Sequence, residues 1–207
     1  MNAASPSARQ PRTLDDLAEL TTRTRAEAEA TREALLASLG ELWTSGANTV
    51  VDELVARRPT VVNAMDTAEI SVLKFNLAHA IEDGRASIPS IFKTVLDIDI
   101  LAKAARANTT GGISVSMADQ VATLSRPLFG LLDKAGLRPD DIKRGSSVTY
   151  GAFSGWDLGM AHKPAENTFT TAVERYGKAK LAHDTAVRQA ASQQATKRWA
   201  DVEPSAG

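Results

Sequence analysis

The chain has 207 residues, a formal net charge of −1 and no cysteine. The near-neutral charge supplies no positive field for nucleic acid or an anionic membrane, and the missing cysteine excludes disulfides, zinc–thiolate sites, iron–sulfur clusters and thiol nucleophiles. Apolar residues make up 43% of the chain, but 35 of them are alanine and only 45 are Leu, Ile, Val or Phe, so core-forming side chains must be concentrated in part of the sequence.

Residues 1–11 are small and polar with Arg9 as the one charge, which reads as a flexible tail (1–12) without the hydrophobic stretch of a secretory signal. Residues 13–46 follow as a long N-terminal helix, free of proline and rich in Ala, Glu and Arg. Leu14, Leu17, Thr21, Thr24, Ala28, Thr31, Leu35, Ser38 and Leu42 fall at alternating spacings of three and four. This is a heptad seam with strong ends and a weak middle, and it gives the helix coiled-coil character.

Residues 47–164 hold 33 of the 45 large apolar residues and read as a helical core domain. Asn48 or Thr49 can cap a short helix with Val50, Val51, Leu54 and Val55 that stops before Pro59. Asp66 and Glu69 make a capping-box pattern for a helix with Ile70, Leu73, Leu77 and Ile81 on one face, ended by Gly84. Residues 87–107 are expected as one further helix, opened by Ser87 and Pro89, with Ile91, Val95, Ile98 and Ala102 as its stripe. Within it Asp97 and Asp99 point apart, each with a lysine four positions away, Lys93 and Lys103 respectively.

After Gly111 and Gly112, residues 113–116 are expected as a short extended piece. Ser116 then caps a helix through Met117, Val121, Leu124, Leu128, Leu131 and Leu132 that is kinked at Pro127, with Gly136 and Leu137 as a Schellman-type stop. Residues 145–164 are the most unusual stretch, with four glycines and three of the chain's ten aromatics, Tyr150, Phe153 and Trp156. Such a loop either plugs its rings onto the helical core or presents them to a partner or small molecule. Residues 165–200 form the second long helix, where Phe169, Val173, Tyr176, Lys180, His183, Val187 and Ala190 continue heptad spacing. Residues 201–207 are a tail.

The two long helices carry opposite charge. Residues 13–43 have seven acidic and three basic side chains, and residues 165–200 have three acidic and six basic. Matched length and opposite sign predict that they pack on each other or on copies of themselves. The expected fold is therefore all-α, a multi-helix globular middle flanked by long N- and C-terminal helices.

Sites for chemistry are sparse. His79, His162 and His183 lie in three different segments, and His79 with Glu82 lacks the second Glu-x-x-His of a di-iron bundle. Ser154 sits in Ala-Phe-Ser-Gly-Trp, short of a nucleophile elbow, and no phosphate-binding glycine loop occurs. The basic pairs Arg57–Arg58, Lys143–Arg144 and Lys197–Arg198 are scattered, and residues 116–145 are too acidic at Asp140 and Asp141 for a recognition helix.

No cofactor, metal or catalytic residue is expected, and no apolar run approaches membrane-spanning length. The expectation is a non-enzymatic structural or assembly protein, of bacterial or phage type, that joins other protein subunits through its long helices. It would be cytoplasmic or part of a particle assembled there. The contact candidates are Leu14, Leu17, Leu35, Leu42, Phe169, Val173 and Tyr176, together with Tyr150, Phe153 and Trp156 of the loop. A helical adaptor that binds one partner, and a ligand-binding or enzymatic domain that uses the 145–164 loop, are the alternatives.

Overall fold

A computed structural model of the chain describes residues 13–106, 113–137 and 162–200. These form six helices and no strand: α1 (Leu14–Arg57), α2 (Pro59–Ala64), α3 (Thr67–Ile91), α4 (Ile98–Arg106), α5 (Ile113–Lys134) and α6 (Lys163–Ala200). The fold is all-α, with long helices at both ends of the described chain.

α1 starts on a capping box. The Thr13 hydroxyl accepts from the Asp16 N–H at 3.1 Å, and the Asp16 carboxylate accepts from the Thr13 N–H at 2.9 Å. The helix then runs for 44 residues, roughly 66 Å at 1.5 Å per residue, so the break expected near Gly46 is absent. Thr44 and Thr49 turn their hydroxyls back onto the Gly40 and Ser45 carbonyls, at 3.0 and 2.9 Å, and so cap nothing. The buried stripe Leu35, Leu36, Leu39, Trp43 continues through Ala47, Val50 and Leu54. That burial outweighs the roughly 1 kcal/mol that a mid-helix glycine costs. The stop before Pro59 falls where the sequence places it, and Pro59 opens α2.

α3 begins on the expected box, with Glu69 N–H to Asp66 Oδ1 at 2.7 Å and Asp66 N–H to Glu69 Oε2 at 2.9 Å. It does not stop at Gly84. A Cβ at that position would lie 2.5 Å from the Trp43 ring, which is 1% exposed and donates its indole N–H to the Ile81 carbonyl at 2.8 Å. Gly84 thus serves the approach of α1 to α3 rather than ending a helix. The helix expected over 87–107 divides instead into the end of α3, a turn at 92–97 and α4. Pro89 has no N–H to offer the Arg85 carbonyl, and Asp97 Oδ1 accepts the Ile100 N–H at 2.9 Å to start α4 afresh. Phe92 and Leu96 in that turn are buried.

α5 is helical from Ile113, so the extended piece expected at 113–116 is not formed. Its end is the expected Schellman stop. Gly136 has φ +75°, Leu137 N–H reaches the Leu132 carbonyl at 2.8 Å, and Gly136 N–H reaches that of Asp133 at 2.9 Å. α6 starts at Lys163, two residues before the sequence places it.

α1 is the spine shared by two packing partners. Its C-terminal half lies antiparallel to α3, with Trp43 beside Ile81 and Gly40 beside Arg85. Its N-terminal half lies against α6, where Arg175 Nη1 meets Glu27 Oε1 at 2.8 Å and Arg25 Nη1 meets the Tyr176 hydroxyl at 3.4 Å. α4 packs on α6, and α5 on α3. One buried cluster draws on all the longer helices, from Ala28, Leu35 and Trp43 through Leu77, Ile88, Leu96 and Leu128 to Phe169, Val173 and Tyr176.

Candidate interaction surface

The two seams seen in the sequence meet each other inside one chain. Every residue from Ala191 to Trp199 is exposed, which a parallel pair would prevent, because it would lay that stretch along the buried middle of α1. The pair is therefore antiparallel. Counting outward from the Arg25–Tyr176 and Glu27–Arg175 contacts brings Ala28 level with Val173, Leu17 with about His183, Leu14 with Val187, and Thr13 with about residue 188.

Burial grades along this seam. Ala28, Leu35, Phe169, Val173 and Tyr176 are at most 2% exposed and Leu17 is 9% exposed, while Leu42 is half-buried against the main cluster. At the far end Leu14 is 41% and Val187 43% exposed, so two helices alone do not close the seam there. Of the sequence's contact candidates, Leu17, Leu35, Phe169, Val173 and Tyr176 thus lie inside the chain's own core. Leu14 stays accessible, and Tyr150, Phe153 and Trp156 lie outside the described residues.

A polar latch marks where this arm leaves the body. Asp99 at the start of α4 accepts from Lys180 Nζ at 2.9 Å and from the Tyr176 hydroxyl at 2.8 Å, and Arg25 Nη2 lies 3.4 Å from its second oxygen. The partners expected for Asp99 from its own helix are replaced by groups on α1 and α6. The Tyr176 ring carries Lys180 Nζ at 5.6 Å and Arg25 Cζ at 5.8 Å from its centroid, a cation–π arrangement with both. Hydrogen bonds from Lys180 and then Tyr176, with the Lys180 and Arg25 charges, hold the Asp99 carboxyl below the ordinary carboxylate range. The bond to Asp99 raises Lys180 in turn.

Beyond the latch, α1 and α6 continue as a two-helix arm about a dozen residues long. α6 then runs about another dozen residues past the N-terminus of α1, roughly 18 Å. Leu181 is 46% exposed on the arm and Trp199, near the tip, 79%. Trp199 is the large apolar side chain the sequence reading passed over. Its signal was the wet composition of residues 188–200, Gln, Ser, Thr and Ala with three basic residues, against which one large ring stands out.

Two other places hold polar groups together. At the start of α6, His162 Nε2 lies 3.1 Å from Glu166 Oε2, and Lys163 Nζ donates to the same oxygen at 2.8 Å. Glu166 is buried there and complements the helix N-terminus. Between α3 and α5 runs a groove of about 450 Å³ with Asn76, His79, Asp83 and Ser87 on one wall and Leu124 and Pro127 on the other. On the outer side of α3, Phe75 is 63% exposed and stacks on His79 with centroids 4.1 Å apart.

Among the described residues no three His, Asp or Glu side chains gather as metal ligands, and no helix is long and apolar enough to cross a membrane. No protein-family model, curated protein or solved structure matches this chain. Its most distinctive described feature is a helical body that carries a projecting arm.

Proposed function

We propose that the protein is a non-enzymatic structural or assembly component that joins other protein subunits through its long helices. The observation that carries this reading is the arm. A stretch of about a dozen exposed helical residues, with none of the other described helices beside it, is marginal as an isolated helix, and it carries an exposed tryptophan near its end. A helix of this kind gains stability only when it lies on another surface. Exposed large apolar residues spaced along a projecting element mark a contact site more readily than a catalytic one.

The polar groups brought together inside the body act structurally. The latch at Asp99 ties three helices, and Glu166 pairs with the Lys163 side chain at the start of α6. Neither arrangement pairs a nucleophile with a base.

Sedimentation equilibrium and light scattering of the full chain, over a hundredfold range of concentration, test the reading. The expected mass exceeds that of one chain and rises with concentration. A mass of one chain throughout would overturn it.

A further inference from the structure

We propose that the groove between α3 and α5 is a binding site for a small amphipathic amine, a protonated amino group carried on an elongated apolar body. None of the residues that line it belongs to α1 or α6, so the inference stands beside the assembly reading and does not depend on it.

Size is the first argument. The groove holds about 450 Å³, within the range of about 300–1,000 Å³ usual for small-ligand sites. Its polar wall follows one side of α3 at Asn76, His79, Asp83 and Ser87. Spacings of three, four and four keep these groups in line over about 16 Å, so an elongated molecule can reach all of them.

Hydrogen-bond direction is the second argument, and it decides what the ligand must carry. A carbonyl only accepts, so the 3.0 Å contact between His79 Nδ1 and the Phe75 carbonyl places the proton of the neutral ring on Nδ1 and leaves a lone pair on Nε2. The stack on Phe75, with centroids 4.1 Å apart, restrains the same ring a second time. Ser87 donates its hydroxyl proton to the Asp83 carbonyl at 2.7 Å and keeps only lone pairs. The Asp83 side chain offers carboxylate oxygens. Three of the four polar groups therefore accept without donating, and the lining carries a single fixed charge, which is negative. Such a wall favours an ammonium, whose N–H groups all donate, and disfavours a carboxylate or a phosphate.

The opposite wall is the third argument. Leu124, Pro127 and Leu131 form it from α5, and Pro127 adds an exposed ring with no N–H. An apolar body laid on these side chains leaves water while its amino group stays at Asp83.

The test is calorimetric titration of the full chain with n-octylamine, with octanoate as the probe of equal length and opposite charge and ethylamine as the probe of equal charge and short tail. Octylamine is expected to bind saturably, one molecule per chain, and each of the other two at least about tenfold more weakly. Asp83→Asn keeps the size of an exposed side chain and is expected to weaken octylamine binding by about tenfold. Asp15→Asn, which removes an exposed carboxylate outside the groove, is expected to leave it unchanged. Circular dichroism is expected to show the same helix content in both variants.

Octanoate bound as tightly as octylamine, or Asp83→Asn without effect, would overturn the amine. Ethylamine bound as tightly as octylamine would overturn the apolar wall. Failure of octylamine to saturate would overturn the site itself and leave the assembly reading standing, since that reading is decided by mass.

Discussion

Asp99 holds three helices with one carboxylate, and its sequence neighbours gave no sign of it. Asp99→Asn keeps the shape but loses the charge that Lys180 and Arg25 face. Because the group is nearly half exposed, the expected loss is discounted for solvent to about 1 kcal/mol, read from the denaturant midpoint. Its pH signature follows from the two shifts. Asp99 is depressed, so its contribution is complete above the ordinary carboxyl value and is lost as pH falls through the lowered one. Lys180 is raised, so its contribution is complete below the ordinary lysine value and is lost only as pH rises through the raised one. The latch is thus intact from about pH 4 to about pH 10, and stability measured against pH in Asp99→Asn should fall less steeply at the acid end. Gly84→Ala tests a different contact. Its Cβ would lie 2.5 Å from the Trp43 ring, so the usual helix-propensity gain of about 1 kcal/mol is reversed to a net loss of about 1–3 kcal/mol in thermal unfolding.

At the scale of elements, the sequence placed some helix starts and ends and missed others. The box at Asp66 and Glu69, the stop before Pro59 and the Schellman turn at Gly136 are local arrangements, each complete within six residues, and all three appear. The expected breaks at Gly46 and Gly84 do not, because a neighbouring helix decides whether a glycine ends a helix or admits close packing. The 87–107 helix splits for the opposite reason, since Phe92 and Leu96 reach the core from a turn. The continuity of α1 makes fragment 47–164 a sharp test. A cut at 47 divides the spine and removes Leu35, Leu39, Trp43, Phe169, Val173 and Tyr176 from a single buried cluster. The fragment is expected to lose cooperative unfolding by circular dichroism and calorimetry. A sharp transition would show that the middle folds alone.

For the whole molecule, the overhang of α6 is expected to contribute little to the stability of the body. The described residues after 190 are helix, exposed from Ala191 to Trp199, and a chain cut there keeps the whole buried cluster. The truncated chain is therefore expected to unfold cooperatively, with helix signal reduced by about the deleted length, while its mass falls to one chain. If it failed to fold, the overhang would belong to the body. By itself the sequence determined the all-α class, the two long helices, their heptad seams and the opposite charges that suit them to pair. Those properties are local or periodic and survive without knowledge of neighbours. Only the tertiary structure decided that the seams from Leu17 to Leu35 and from Phe169 to Tyr176 are buried within one chain, that Asp99 bridges α1 and α6, and that Trp199 rather than Tyr176 is left exposed. The reason is register. A heptad pattern says which side of a helix is apolar, but where two helices begin beside each other fixes which part of that side remains in water.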